Sequence, residues 1–312
     1  MIANIKNSDY FIHKGEGNYK FTFADKNLNQ YRTITVVSEQ GRGIGVGEDD
    51  PFVTTQATYN IHFGSPNQVN VMAGSLKNDS MFGGMDNDIL DGLNGDDYIE
   101  GGAGDDTIDG GAGEDDLYGM AGDDKLKGNT GNDLLVGGKG KDTLEGGDDN
   151  DILIGGKGDD ELKGDKGKDK LYGGEDNDTL DGGIGHDELY GDAGNDTLIG
   201  GFGNDSLEGG ADNDTYIFTA GDGDDIISDN QGNNVLKITG QSSLSAHQIA
   251  QDASVYQDQA GNRYVRLEDI GLQITLAENG GSIYLTNWSD SNNFGIGLSE
   301  FSSVNELYKL AA

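Results

Sequence analysis

The 312-residue chain has no cysteine, two prolines and one tryptophan, and its 20 Lys and Arg are outnumbered by 57 Asp and Glu. Without cysteine there is no disulfide framework and no thiolate metal site. With a net charge of −37 and a pI near 4.1, the chain is poorly suited to nucleic acid, whose phosphates call for Lys and Arg. No apolar run approaches the ~20 residues of a membrane-spanning helix, so no transmembrane segment is expected. The opening Met1-Ile2-Ala3-Asn4-Ile5-Lys6-Asn7 lacks the apolar stretch of a Sec signal peptide. Catalytic signatures are missing too. There is no H-E-x-x-H, no G-x-S-x-G and no G-x-x-x-x-G-K-[ST]. His13, His62, His186 and His247 share no metal spacing, and His186 is expected to be an exposed turn residue. No catalytic residue and no enzyme activity are therefore expected.

What the chain has in excess is glycine, 54 residues, placed with a period of nine. Every ninth residue from Gly74 to Gly209 is glycine, and five residues later comes aspartate. These are Asp79, Asp88, Asp97, Asp106, Asp115, Asp124, Asp133, Asp142, Asp151, Asp160, Asp169, Asp178, Asp187, Asp196, Asp205 and Asp214. Two places further on sits a large residue, from Met81, Leu90, Ile99 and Ile108 through a run of leucines to Tyr216. Sixteen copies of G-G-x-G-x-D-x-L-x run without insertion from Gly74 to Ile217. So strict a short period means one small unit stacked on itself.

The unit suits a hard cation. Calcium takes six to eight oxygens from carboxylates and carbonyls. Glycines let carbonyls converge where a Cβ would clash, and the aspartate adds a short carboxylate at a fixed offset. The x-L-x that follows predicts a three-residue strand with its central side chain inward. The repeat block carries 38 acidic and 10 basic side chains. One buried leucine and a few strand hydrogen bonds do not offset the ordering of nine backbones. Without metal, the block is expected to repel itself and stay unfolded.

The nonapeptides resemble the repeats-in-toxin (RTX) family of secreted bacterial toxins, proteases and lipases. The likeness covers 144 of 312 residues. It implies a right-handed parallel β-roll, an all-β calcium solenoid in which two nonapeptides form one coil, flanked here by N- and C-terminal antiparallel β caps. It implies calcium between stacked turns, held by the sixth-position aspartates and by carbonyls of positions 2 and 4 of one turn and 1 and 3 of the turn eighteen residues later. One such site uses Gly102, Gly104, Asp106, Gly119, Ala121 and Asp124. Carried along the chain, first-position carbonyls come from Gly92, Gly101, Gly110, Gly119, Gly128, Gly137, Gly146, Gly155, Gly164, Gly173, Gly182, Gly191, Gly200 and Gly209. Second-position carbonyls come from Gly84, Gly102, Gly111, Gly138, Gly156 and Gly183, and third-position ones from Asn94, Ala103, Ala112, Ala121, Thr130 and Lys139. Fourth-position carbonyls come from Asp86, Gly95, Gly104, Gly113, Gly122, Gly131, Gly140, Gly158, Gly167, Gly185, Gly194 and Gly203. Sixteen turns paired at n and n+2 give at most 16 − 2 = 14 interior calcium sites. Position 4 is Asp at Asp86, Asp149, Asp176 and Asp212. Asp tolerates the left-handed backbone better than most residues, so those turns are expected to keep their shape. The first repeat, Gly74-Ser75-Leu76-Lys77-Asn78-Asp79, lacks glycine at positions 2 and 4 and is expected to be incomplete.

The flanks read as β. Tyr19, Phe21 and Phe23 alternate, as do Ile34 and Val36, Tyr59, Ile61 and Phe63, and Val69 and Val71. Residues 1–73 are expected to cap the roll or to end an upstream domain, and 74–217 to form the roll itself. Residues 218–312 are expected to be a β-rich cap, with strands at Thr215–Thr219, Asp225–Asp229, Asn234–Ile238, Arg263–Glu268, Leu272–Ala277 and Ser282–Trp288. Ser303 and Glu306 have capping-box spacing for a short helix. The resemblance implies a type I secretion signal near Ser302–Ala312, extracellular localisation in a bacterium, and the export machinery and a host-cell or surface target as partners. A toxin fragment, a complete small surface-binding exoprotein and the C-terminal part of a protease or lipase all remain open. The nine lysines from Lys125 to Lys170 fall at variable positions and are expected on a solvated face.

Overall fold

The computed structural model describes residues 9–14, 19–24, 34–38, 57–64, 67–219, 221–229, 231–239, 245–248, 255–257, 263–267, 271–276, 281–286 and 297–299. The repeats form a parallel β-solenoid with two walls, and the described residues contain no helix. No helix among them is therefore long and apolar enough to cross a membrane.

One wall has ten strands, from Val71–Ser75 through Ile89–Leu93, Thr107–Ala112 and Lys125–Thr130 to Thr215–Phe218 and Val235–Ile238. The other runs from Asp79–Gly84 through Tyr98–Ala103 and Asp116–Ala121 to Ser206–Ala211 and Asp224–Ile227. Leu117 pairs with Ile99 on one side and Leu135 on the other. Leu126 pairs with Ile108 and Leu144. Pairing partners are thus eighteen residues apart, and two nonapeptides make one coil.

The strands are mostly six residues long, where x-L-x predicts three. Positions 7, 8 and 9 pair, position 1 is skipped, and positions 2 and 3 pair again; Gly119 is the skipped residue in Asp116–Ala121. The ladder continues into the turn because glycines follow the neighbouring coil closely enough to keep bonding it.

Burial alternates along each strand, with position 8 inside and positions 7 and 9 outside. The core is a double row of single side chains. Met72, Leu90, Ile108, Leu126 and their successors come from one wall, and Met81, Ile99, Leu117, Leu135 and theirs from the other. Each buried leucine contributes roughly 1.5–3 kcal/mol. A core one residue thick has no second shell, so the turns decide whether it forms.

Stacking runs past the sixteen regular copies at both ends. Val71–Ser75 lies on Ile89–Leu93 at the start. At the far end the spacing lengthens from eighteen to twenty, with Leu207 opposite Ile227 and Thr215 opposite Val235. The Gly221-Asp222-Gly223 turn absorbs the two extra residues, both glycines having positive φ.

At the N-terminal end, Ile34–Ser38 pairs antiparallel with Ala57–Phe63, which lies parallel on Asp79–Gly84. Asp9–Lys14 and Tyr19–Ala24 form a separate antiparallel pair. At the other end, Ser282–Leu285 lies parallel on Asp224–Ile227, and Gly271–Thr275, Arg263–Leu267 and Val255–Gln257 follow antiparallel. Trp288, the Ser303–Glu306 helix and the Ser302–Ala312 signal lie outside the described residues. Lys127, Lys157, Lys163, Lys166 and Lys170 pair with acidic neighbours on the solvated surface.

Candidate metal centre

The sixth-position aspartates form two unbroken internal ladders, one along each edge of the roll. All sixteen, from Asp79 to Asp214, are at most 2% exposed. Each backbone N–H from Asp79 to Asp196 donates to Oδ1 of the aspartate eighteen residues later, at 2.6–2.9 Å. The aspartate carbonyl accepts from the residue nineteen places on, as Asp106 does from Lys125 N–H at 2.9 Å.

The second carboxylate oxygen is left over. Oδ2 of every aspartate in the series from Asp88 to Asp214 is buried and makes no hydrogen bond. An orphaned buried carboxylate oxygen is costly, and a cation is its natural partner. These oxygens face the first glycine of their own turn. A Cβ on Gly128 would come within 2.6 Å of the Gly146 carbonyl oxygen and closer still to Asp133 Oδ2. The same convergence recurs at Gly155, Gly164 and Gly173. The first-position glycine is therefore needed for space, since its φ lies outside the left-handed region.

Carbonyls enter the same gap from both turns. Those of second- and fourth-position residues point forward: a Cβ on Gly102 would meet Gly84 O, and one on Gly122 would meet Gly104 O. First-position carbonyls point back, as Gly146 does toward Gly128. Third-position carbonyls point back as well and accept the fourth-position N–H, as in Gly104 N to Ala121 O at 2.9 Å and Gly122 N to Lys139 O at 2.9 Å. Gly102, Gly104, Asp106, Gly119, Ala121 and Asp124 thus lie around one inter-turn gap. Among the described residues no three His, Cys, Asp or Glu side chains converge on one point. A metal here must take most of its oxygens from the backbone, which fits calcium.

The carboxylates are strained electrostatically as well. Burial pushes Asp97, Asp115, Asp124, Asp133 and Asp160 up to about 7, with added repulsion from acidic neighbours, against the lowering effect of the N–H each accepts. Asp169 and Asp178 rise to about 8 for the same reasons. Asp106, Asp142, Asp151, Asp196 and Asp205 rise to about 6, again through burial.

The ladder reaches beyond the sixteen aspartates. Asn70, nine residues before Asp79, is buried, and its N–H and side-chain amide both donate to Asp88 Oδ1. At the other end Asp225 accepts from Asp205 N–H at 3.0 Å and Asn234 from Asp214 N–H at 2.8 Å. The signal for Asn70 was Met72, in phase with Met81. Asp225 and Asn234 fall out of phase because of the two extra residues.

Asp79 differs from the rest. Its Oδ2 accepts Ser75 N–H at 2.6 Å and its Oδ1 contacts His62 Nε2 at 3.2 Å. The incomplete first repeat therefore closes its carboxylate with protein donors. The left-handed backbone is held by non-glycine residues at Asp149, Asp176 and Asp212 in position 4, with φ of 84°, 82° and 75°, whereas Asp86, the fourth aspartate at this position, does not adopt positive φ, against the expectation for its turn. His186 is exposed, and its Nδ1 accepts from Asn204 N–H.

The family model of the RTX calcium-binding nonapeptide repeat (four copies) matches residues 68–99, 91–126, 127–162, 154–189, 181–216 and 219–237. No curated protein matches the chain. Among solved structures, the chain is similar to a hyperactive, Ca2+-dependent, β-helical antifreeze protein from an Antarctic bacterium. The two are 22% identical over 60% of this chain and 85% of that one, with a TM-score of 0.25. The matched segments span more than half of the sequence, and the chain belongs to the RTX family of calcium-binding nonapeptide-repeat proteins.

Proposed function

We propose that the roll is a calcium-triggered folding module of a secreted protein. It leaves the cell unfolded through a type I exporter and folds on meeting extracellular calcium. The observation that carries this reading is the row of buried, hydrogen-bond-free Oδ2 atoms from Asp88 to Asp214. Carboxylates stacked this way disfavour the metal-free fold at neutral pH, and a bound dication reverses that penalty. In this reading the ligands are the sixth-position aspartates from Asp88 onward and the carbonyls at positions 1 to 4. The upper count is 14 ions. Calcium supplies positive charge and cross-links successive coils.

The module acts by binding and folding, with no chemical step of its own. Any toxin, adhesive or hydrolytic activity belongs to other parts of the protein. RTX repeats are typical of secreted proteins, which supports the extracellular assignment.

A calcium titration followed by far-UV circular dichroism tests the trigger, with magnesium as control. The expected result is a steep coil-to-β transition that magnesium does not reproduce. The same β-spectrum in chelator and in calcium would refute the trigger role.

A further inference from the structure

The two walls of the roll differ on their outer faces. On the ten-stranded wall, outward positions 7 and 9 are polar throughout the central coils: Thr107, Asp109, Lys125, Lys127, Thr143 and Glu145, then Glu161 to Asp181 in the same pattern. The opposite wall carries a stripe with an apolar or aromatic side chain at one or both of these positions in every coil from Phe82 to Tyr190, interspersed with Glu100, Asp116, Lys170 and Glu188. Leu134 and Val136 adjoin Ile152 and Ile154 at its centre, and Ile152 is 41% exposed. Aromatic rings flank this centre, Tyr98 near Tyr118 at 5.4 Å on one side and Tyr172 on Tyr190 at 5.0 Å on the other.

The order of side chains along the stripe is self-complementary. A two-fold axis along the strands, between Leu134–Lys139 and Ile152–Lys157, maps each coil onto one at equal distance beyond the centre. It sets Leu134 against Ile152 of a second copy and Val136 against Ile154. One coil out, Asp116 meets Lys170, and Tyr118 meets Tyr172. Two coils out, Tyr98 meets Glu188, and Glu100 meets Tyr190. No like charges oppose one another at positions 7 and 9 of these coils. Lys170 already holds Glu188 at 2.7 Å in its own chain, so it would sit between two carboxylates. Lys139 and Lys157 do fall opposite one another, but at the turn edge, where both are exposed and Lys157 is bonded to Glu175. The alternative two-fold, along the roll axis, leaves Asp116 and Lys170 three coils apart, about 14 Å by strand spacing.

We propose that this face binds a second copy of the chain, roll against antiparallel roll, in a symmetric dimer centred on Leu134, Val136, Ile152 and Ile154. A closed two-fold contact of this kind uses the same patch on both partners. Eight coils by a ~15 Å strand width give roughly 600 Å² per partner, below the ~800 Å² of a standard interface. The dimer is therefore reversible and concentration-dependent.

The test is sedimentation equilibrium of the full chain in calcium, with circular dichroism to verify that each variant is folded. Wild type should dimerise as concentration rises, and Ile152→Lys should be monomeric. Asp116→Lys and Lys170→Asp should each weaken association about tenfold or more through like-charge opposition. The double variant Asp116→Lys/Lys170→Asp should restore it. A folded wild type that stays monomeric up to its solubility limit would overturn the proposal. So would a dimer indifferent to Ile152→Lys, or a double variant no better than the single ones.

Discussion

At the scale of the residue, each nonapeptide position has its own physical reason. Position 1 must be glycine for space. Gly128→Ala puts a methyl between Asp133 Oδ2 and the Gly146 carbonyl. In an ordinary strand that change would be favourable. Here it should lower thermal stability in calcium by about 1–3 kcal/mol, with loss of a calcium site by titration calorimetry. Positions 2 and 4 are chosen for backbone shape, so non-glycine residues there carry strain. Leu93 has φ of 77° with 38% of its surface exposed. Leu93→Gly should raise stability by about 1 kcal/mol, read as a higher melting temperature in calcium. Position 6 carries the charge. Asp124→Ala removes an orphaned Oδ2 and the acceptor of Asp106 N–H. It should reduce the calcium bound, seen by calorimetry, while the roll still folds. An unchanged ion count and affinity would remove Asp124 from the ligand set.

At the scale of the element, the aspartate ladder makes the coils respond together to protons. Burial raises these carboxyls from 3.8 to about 6–8 in the metal-free fold. The folded form then binds more protons than the unfolded chain across that interval, so its stability falls as pH rises. In chelator, β-structure should be greatest near pH 4, decline through about pH 7 and change little above pH 8, as followed by circular dichroism. With calcium present, protons and metal compete for the same carboxylates, and the calcium midpoint should rise as pH falls below about 7. Flat profiles in both conditions would contradict the ladder's role.

This element was largely legible in the sequence. The period places Leu126 inward and Asp124 at the inner edge of the turn, because a nine-residue unit leaves no slack. What escaped had lost its phase or its residue type. Asn70 serves in the ladder without a carboxylate, and the twenty-residue last coil hides Asp225 and Asn234. Strand length was underestimated because glycine-rich turns read as loops, whereas Met120 and Ala121 still pair with Gly138 and Lys139. Asp79, in phase with its series, is closed by Ser75 and His62, which only the unusual first turn hinted at.

At the scale of the whole molecule, a solenoid needs its ends covered. The last regular coils hand over to Asp224–Ile227 and then to Ser282–Leu285, with Ile274, Ile283 and Leu285 buried beside Ile227. Truncation before Gly240 removes that cover and bares the edge of Asp224–Ile227. It should move the calcium midpoint of folding upward and flatten the transition, in contrast to the local effect of Asp124→Ala. An unaltered midpoint would mean that the roll needs no cover at this end.

The central claim is that calcium sits between turns eighteen residues apart, on the orphaned Oδ2 atoms. Anomalous diffraction from crystals grown in calcium tests it most directly. The account predicts a row of peaks along each edge of the roll, each about 2.3–2.6 Å from an Oδ2. Peaks on the exposed fifth-position side chains instead, with the Oδ2 row unoccupied, would contradict it.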